Sequence, residues 1–237
     1  MYSAQRTALG KIQFPDIPDR VAVKQMKMSD KEKNVFLNEV NILKQNAIPQ
    51  LIHYYGCYYR NNILYLVMEQ VKGVDLFDYI KNSLREQQKL TILKNIAIAI
   101  HDLHKAGLIH RDIKLENIMV NPADLTIKLV DYGFTCKINS LSAWSCNSDV
   151  GTPGYFDPKI IRGNTESMKR GDWWAFGQII YILFTDYFLY DKKRRMYLEP
   201  QTTNLNKMPN NMKTLFLKIY KDSGVHPSSE EIIQFFN

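Results

Sequence analysis

The chain has few cysteines, no long apolar run and no long tract of one charge sign. Its three cysteines, Cys57, Cys136 and Cys146, form no spaced pair of the kind that holds zinc or a disulfide scaffold. A reduced, intracellular setting is therefore expected, with Cys136 as a buried, unreactive thiol. The longest apolar run, Ile179 to Phe184, falls far short of a membrane span. No segment at the start pairs a charged stretch with an apolar one, so neither export nor membrane partnership is expected. A repeat of 20 to 50 residues and low-complexity tracts are also missing, which excludes solenoids and disordered linkers.

What is present is enough for a sizeable core: 237 residues, 45% hydrophobic and 12% aromatic. The formal charge of +7 is spread along the chain, and only Lys192-Lys193-Arg194-Arg195 forms a basic block. That block reads as a solvated loop between helices, and no nucleic-acid partner is expected.

Local patterns divide the chain. Val21-Ala22-Val23-Lys24 is a short β-branched run closing on a lysine. Ser29 and Glu32 make a capping box, and Phe36, Val40 and Leu43 recur at helical spacing, so residues 30 to 45 read as an amphipathic helix with Glu39 beside its apolar stripe. Residues 51 to 58 and 63 to 70 read as two strands joined at Arg60-Asn61-Asn62. Leu90, Leu93, Ile96, Ala97, Ile100 and Leu103 mark a buried helix, and Ile127 to Val130 a short strand. Ser228 to Glu231 is a second capping box, opening a last helix that runs to Phe236.

The densest chemistry lies in His110-Arg111-Asp112-Ile113-Lys114-Leu115-Glu116-Asn117, followed by Asp131-Tyr132-Gly133. An H-R-D-x-K-x-x-N loop and a D-x-G triplet supply a carboxylate, a cation and two metal-binding groups, which is what phosphoryl transfer asks of a protein. These motifs resemble the catalytic loop and D-F-G element of the eukaryotic-type protein kinase family, with Tyr132 in place of phenylalanine. The resemblance implies an α+β, bilobal fold. It also implies one domain over 1–237, with a β-rich small lobe over 1–70 and a mainly helical large lobe over 71–237.

Residue by residue, the family pattern gives Asp112 the role of orienting the acceptor hydroxyl and Lys114 that of stabilising charge. Asn117 and Asp131 would hold Mg2+. Lys24 and Glu39 would position the phosphates of ATP, with Gly10, Ile12, Ala22, Met68, Glu69, Val71, Asp75 and Met119 around the nucleotide. In that match Met68 is the gatekeeper, Glu69 and Val71 offer hinge backbone groups, and Asp75 meets the ribose. Asp172, opening D-W-W-A-F-G, would cap the backbone of the H-R-D loop, leaving His110 as a core histidine. Lys114 and Thr152 resemble serine/threonine kinases, so protein serine or threonine is the expected acceptor. A monomer in the cytoplasm is expected, in host cytoplasm if the chain is viral.

Two departures from the family stand out. Counting back from Gly10-Lys11-Ile12, which resembles the end of the glycine-rich loop, the two earlier glycine positions hold Gln5 and Thr7. Lys159 stands where the family's A-P-E motif has glutamate, and His226-Pro227 where its arginine partner belongs. With Tyr132, these changes leave a weakly nucleotide-binding pseudokinase scaffold as the alternative. Four serines between Gly133 and Gly151 (Ser140, Ser142, Ser145 and Ser148) are candidate phosphorylation sites that would pair with Arg111.

Overall fold

The structure is a computed structural model that describes residues 2–5, 16–27, 29–45, 48–138, 150–161, 163–220 and 226–236. Its N-terminal part is a four-stranded sheet flanked by one helix. Strands β1 (Tyr2–Gln5), β2 (Arg20–Lys27), β3 (Tyr54–Arg60) and β4 (Ile63–Glu69) run in the order β1-β2-β4-β3, all neighbours antiparallel. Between β2 and β3 lies α1 (Asp30–Gln45), as the periodicity predicts. Ser29 accepts from the Glu32 amide and its hydroxyl donates to the Glu32 carboxylate, but the Ser29 amide goes to the Lys27 carbonyl, so only the hydroxyl half of the expected capping box forms. Phe36, Val40 and Leu43 are buried on the face turned to the core.

The remainder is mainly helical. It begins with β5 (Val74–Asp75) and α2 (Leu76–Tyr79), then α3 (Glu86–Lys105), β6 (Leu108–Ile109) and a 3-10 turn over Leu115–Asn117. Strands β7 (Ile118–Val120), β8 (Ile127–Leu129) and β9 (Cys136–Lys137) follow. After α4 (Thr165–Thr185) come the hairpin β10 (Tyr190–Asp191) and β11 (Met196–Tyr197), then α5 (Thr202–Leu205), α6 (Asn210–Tyr220) and α7 (Ser229–Gln234). Helix α4 opens with the polar residues Glu166, Lys169 and Arg170, but from Asp172 on it is apolar and buried on nearly all sides, and it packs against both α3 and α6. Its N-terminus is set by Asn164, eight residues before the D-W-W-A-F-G motif, whose side chain accepts from the Ser167 amide at 2.8 Å.

The register of β1 corrects the reading of the phosphate loop. Tyr2 lies opposite Val23 and Gln5 opposite Arg20, so the chain moves away from Lys24 as it passes from Tyr2 to Gln5. At about 3.3 Å per residue, Gln5 sits roughly 13 Å along the strand from the lysine. It is a strand residue and not part of a loop over the phosphates. Gly10, Ile12 and Thr7 lie outside the described residues.

The cysteine reading also needs correction. Cys136 is buried, as expected, but it is disulfide-bonded and not a free thiol. Cys57, on β3, is free and exposed. The spacing of the cysteines carries no signal of that bond.

Candidate active site

Four elements converge on the Asp112 loop. Asp172 of α4 is the fixed point: its carboxylate accepts from the amides of His110 and Arg111 at 2.9 and 2.8 Å, and His104 Nε2 lies 2.8 Å away. Burial pushes the Asp172 pKa up, but His104 and these donors outweigh it and hold it below the ordinary carboxylate value. The grip is needed because Arg111 has φ of 65°, a left-handed conformation that disfavours any side chain with a Cβ. His110 is wholly buried, its ring 3.2 Å from the Val130 carbonyl, and burial lowers its pKa. It is a core histidine, as the sequence suggests.

Asp112 itself is 5% exposed and fully engaged. Its Oδ1 accepts from the Thr152 hydroxyl at 2.6 Å, while Oδ2 lies 2.9 Å from both Lys114 Nζ and Asn117 Nδ2. Lys114 also donates to Thr152 Oγ1 at 2.9 Å. Thr152 therefore bridges the carboxylate and the cation, tying the 150–158 segment to the loop. Asn117 donates a second time, to the Asp112 carbonyl at 2.9 Å, which turns its amide oxygen away from Asp112.

Lys24, at the centre of β2, makes the second cluster. Its ammonium lies 2.7 Å from Glu39 of α1 and 2.9 Å from Asp131. Burial lowers the lysine's pKa, but the two carboxylates outweigh it and the net shift is upward. Glu39 is 1% exposed, and burial raises its pKa despite the lysine. For Asp131 burial also acts upward, but Lys24 prevails and keeps the group below the usual carboxylate range. Asp131 has φ of 65°, a second strained position among the site residues.

Two features hold the Asp131-Tyr132-Gly133 turn that the sequence left unassigned. Asn38, beside Glu39 on α1, donates through Nδ2 to the carbonyls of Gly133 and Thr135 at 3.0 and 2.8 Å. The Tyr132 hydroxyl, fully buried, donates to the Leu129 carbonyl at 2.6 Å, and the Tyr132 amide donates to Glu39 at 3.3 Å. A Cβ at Gly133 would come within 2.5 Å of the Val35 side chain, so glycine allows α1 to approach this turn. Neither Asn38 nor the hydroxyl partner could be found from spacing, because both contacts link segments about ninety residues apart or end on backbone carbonyls.

The expected nucleotide-side residues fall on two small sheets. Ala22 lies opposite Met68 in the β2–β4 pair, both buried, and Met119 lies opposite Asp75 in the β5–β7 pair. Glu69 gives its amide to the His53 carbonyl, and its carboxylate accepts from the His53 amide at 3.1 Å and from Lys128 at 2.7 Å, so neither its amide nor its carboxylate is free for a ligand. Val71 is half-buried between the two sheets. Asp75 caps α2, accepting from the Asp78 amide at 2.8 Å.

The Lys159 departure is resolved by a residue the sequence did not point to. Arg170 of α4 places Nε 3.0 Å from Asp157 Oδ2 and donates through Nη2 to the Lys159 carbonyl at 3.0 Å. Asp157 is 2% exposed. The ion pair that the family makes at the positions held here by Lys159 and His226-Pro227 is replaced by one two positions earlier in the segment, between Asp157 and α4.

A carboxylate held between a cation and a hydroxyl, next to a lysine that bridges an αC-type glutamate and a D-x-G aspartate, defines the protein kinase class. The protein kinase domain family matches residues 15–237, and the chain belongs to that family. It is 35% identical over 200 residues, 79% of its length, to calcium-dependent protein kinase 5 of Plasmodium falciparum (isolate 3D7), covering 34% of that protein. It is 37% identical over 163 residues, 67% of its length, to the serine/threonine-protein kinase Nek9 of Mus musculus, covering 16% of it. The chain spans about a third or less of the curated relatives it matches.

Proposed function

We propose that this chain is a catalytic unit, with residues 1–237 acting as one domain, that transfers the γ-phosphate of ATP to serine or threonine hydroxyls of proteins. The observation that carries the reading is Thr152 Oγ1, within 2.6 Å of Asp112 and 2.9 Å of Lys114. That arrangement fixes the carboxylate and the cation relative to each other at the place where a hydroxyl would be activated.

In this reading the acceptor hydroxyl replaces the Thr152 or Asn117 contact at Asp112, which orients it and takes its proton as the oxygen bonds to phosphorus and ADP departs. Lys114 faces the charge gathering on the transferred group. Lys24, kept protonated by Glu39 and Asp131, meets the α and β phosphates. Ala22, Met68, Met119, Val71 and the Glu69 carbonyl receive the adenine, and Asp75 lies at the ribose. Asp131 and the Asn117 amide oxygen fit magnesium, which takes one or two protein oxygens and completes its shell with phosphate and water. When bound, that ion would neutralise charge on the phosphates.

The features that favoured a scaffold without catalysis weigh less in the fold. Gln5 is a strand residue, Tyr132 has its hydroxyl paired, and Lys159 is not asked to replace a buried carboxylate. The test is incubation with labelled ATP, magnesium and a generic protein substrate, followed by hydrolysis to phosphoamino acids. Label on serine or threonine supports the reading, and label on tyrosine alone or on no polypeptide contradicts it.

A further inference from the structure

Lys192-Lys193-Arg194-Arg195 is the turn of the β10–β11 hairpin, and all four side chains are exposed. The turn is built and not loose. Asp191 Oδ1 accepts from the amides of Lys193 and Arg194 at 2.8 and 3.0 Å, and Arg195 closes it with φ of 54°. Only Arg194 has an acidic neighbour, Asp191 at 3.7 Å. Among the described residues, Lys192, Lys193 and Arg195 have none.

The hairpin stands directly on the segment that carries Thr152. The Tyr197 hydroxyl donates to the Phe156 carbonyl, and the ring of Phe188 lies 5.2 Å from that of Tyr155. Gly154, with φ of 96°, is so close beneath Phe188 and Tyr190 that a Cβ there would fall 2.3 and 3.3 Å from them. From the other side Trp174 of α4 holds Tyr197 edge-on at 5.5 Å. The acidic residue of that segment, Asp157, is turned inward to Arg170 and does not neutralise the turn.

We propose that the Lys192–Arg195 turn is a docking site for acidic residues of the protein substrate, selecting polypeptides that carry aspartate, glutamate or phosphoserine near the acceptor. This rests on the kinase reading, since it uses the Thr152 segment as the place where substrate lies. Fixed cations beside the platform attract an acidic chain and act mainly on its binding and not on the chemical step. At physiological salt such attraction fades beyond about 8 Å, so it selects for acidic residues that touch the turn and not for overall substrate charge.

The experiment compares two peptides around one serine, one with acidic flanks and one with neutral flanks. They are tested with wild type and with the triple variant Lys192→Gln, Lys193→Gln, Arg195→Asn. Asparagine tolerates the left-handed turn position, and Arg194 is kept for its contact with Asp191. The expected result is a KM at least about fivefold lower for the acidic peptide in wild type, a difference that vanishes in the triple variant with kcat and the KM for ATP unchanged. A single Lys192→Glu change should weaken the preference too, and it serves if the triple variant unfolds at a lower temperature. Equal KM values in wild type, or a preference that survives the triple change, overturns the proposal while transfer to the neutral peptide leaves the kinase reading intact. If neither peptide is labelled, the kinase reading fails. Fluorescence anisotropy of the acidic peptide without nucleotide then decides the docking claim, which stands if the triple variant loses binding and falls if it does not. Turn-dependent binding to anionic vesicles with no effect on either peptide also overturns it.

Discussion

Arg170 Nε lies 3.0 Å from Asp157 Oδ2, and through that pair α4 holds the end of the Thr152 segment in place. A carboxylate that is 2% exposed tolerates no loss of its cation, because removing one partner strands the other in a poorly solvated site. Arg170→Ala should therefore destabilise by about 2–3 kcal/mol, less than a wholly buried pair since the arginine is partly exposed. Asp157→Ala should cost a similar amount, and the double variant Asp157→Ala/Arg170→Ala should cost less than the two single losses added together. Urea unfolding of the three variants checks this, and additive single effects would contradict a direct pair.

Thr152 should act as a positioning residue. Thr152→Ser keeps the hydroxyl between Asp112 and Lys114 and should stay within about threefold of wild-type kcat/KM, whereas Thr152→Ala should lose tenfold or more, ~1.4 kcal/mol. Equal losses in the two variants, measured with the same peptide, would show that the hydroxyl is not what matters.

Asn38 couples α1 to the Asp131 turn. Asn38→Ala leaves two carbonyls without their donor, a change of about 1–3 kcal/mol, and should raise the magnesium concentration needed for half-maximal activity. Asn38→Asp should be worse, since a carboxylate faces those same carbonyls. A magnesium titration with a thermal melt on each variant separates this from general unfolding: an unshifted titration sinks the assignment.

Tyr132→Phe tests whether the hydroxyl explains the exchange from the family's phenylalanine. It removes the 2.6 Å bond to the Leu129 carbonyl and should lower stability by about 1–2 kcal/mol without abolishing activity. A more stable variant would mean that the hydroxyl is a burden.

The pH dependence of stability follows from His110. Its folded pKa lies below the ordinary value of 6.5, so the unfolded chain binds the extra proton first and stability falls as pH drops below that value. Asp172, depressed below 3.8, adds a loss of the same sign at lower pH. Glu39, raised above 4.5, acts the other way, so the difference between wild type and His110→Phe isolates the histidine. That variant should flatten the slope just below pH 6.5 in denaturant titrations, and an unchanged slope would show that His110 is not buried neutral.

Much of this architecture is legible in the sequence where the signals are local. The Ser29 cap and the Phe36, Val40, Leu43 stripe give α1 its bounds, Asp30–Gln45, and the Asp112 and Asp131 motifs locate the groups that the fold brings together. What the sequence does not carry is pairing between distant segments. Asn38, Arg170 and the Lys128–Glu69 bridge join residues whose types are ordinary on any surface, and only their placement makes them partners. The misplacement of Gln5 has the same origin. A strand register is set by cross-strand contacts with β2, while a lone glycine at position 10 fixes no register at all.

The central claim is that Asp112 and its neighbours transfer phosphate, and the most direct measurement is single-turnover transfer of labelled phosphate from ATP to a serine peptide by wild type and Asp112→Asn, each checked by thermal unfolding. The account predicts that the variant melts close to wild type and loses transfer by a factor of about a thousand or more, ~4 kcal/mol in the barrier. Equal transfer by both proteins would contradict it.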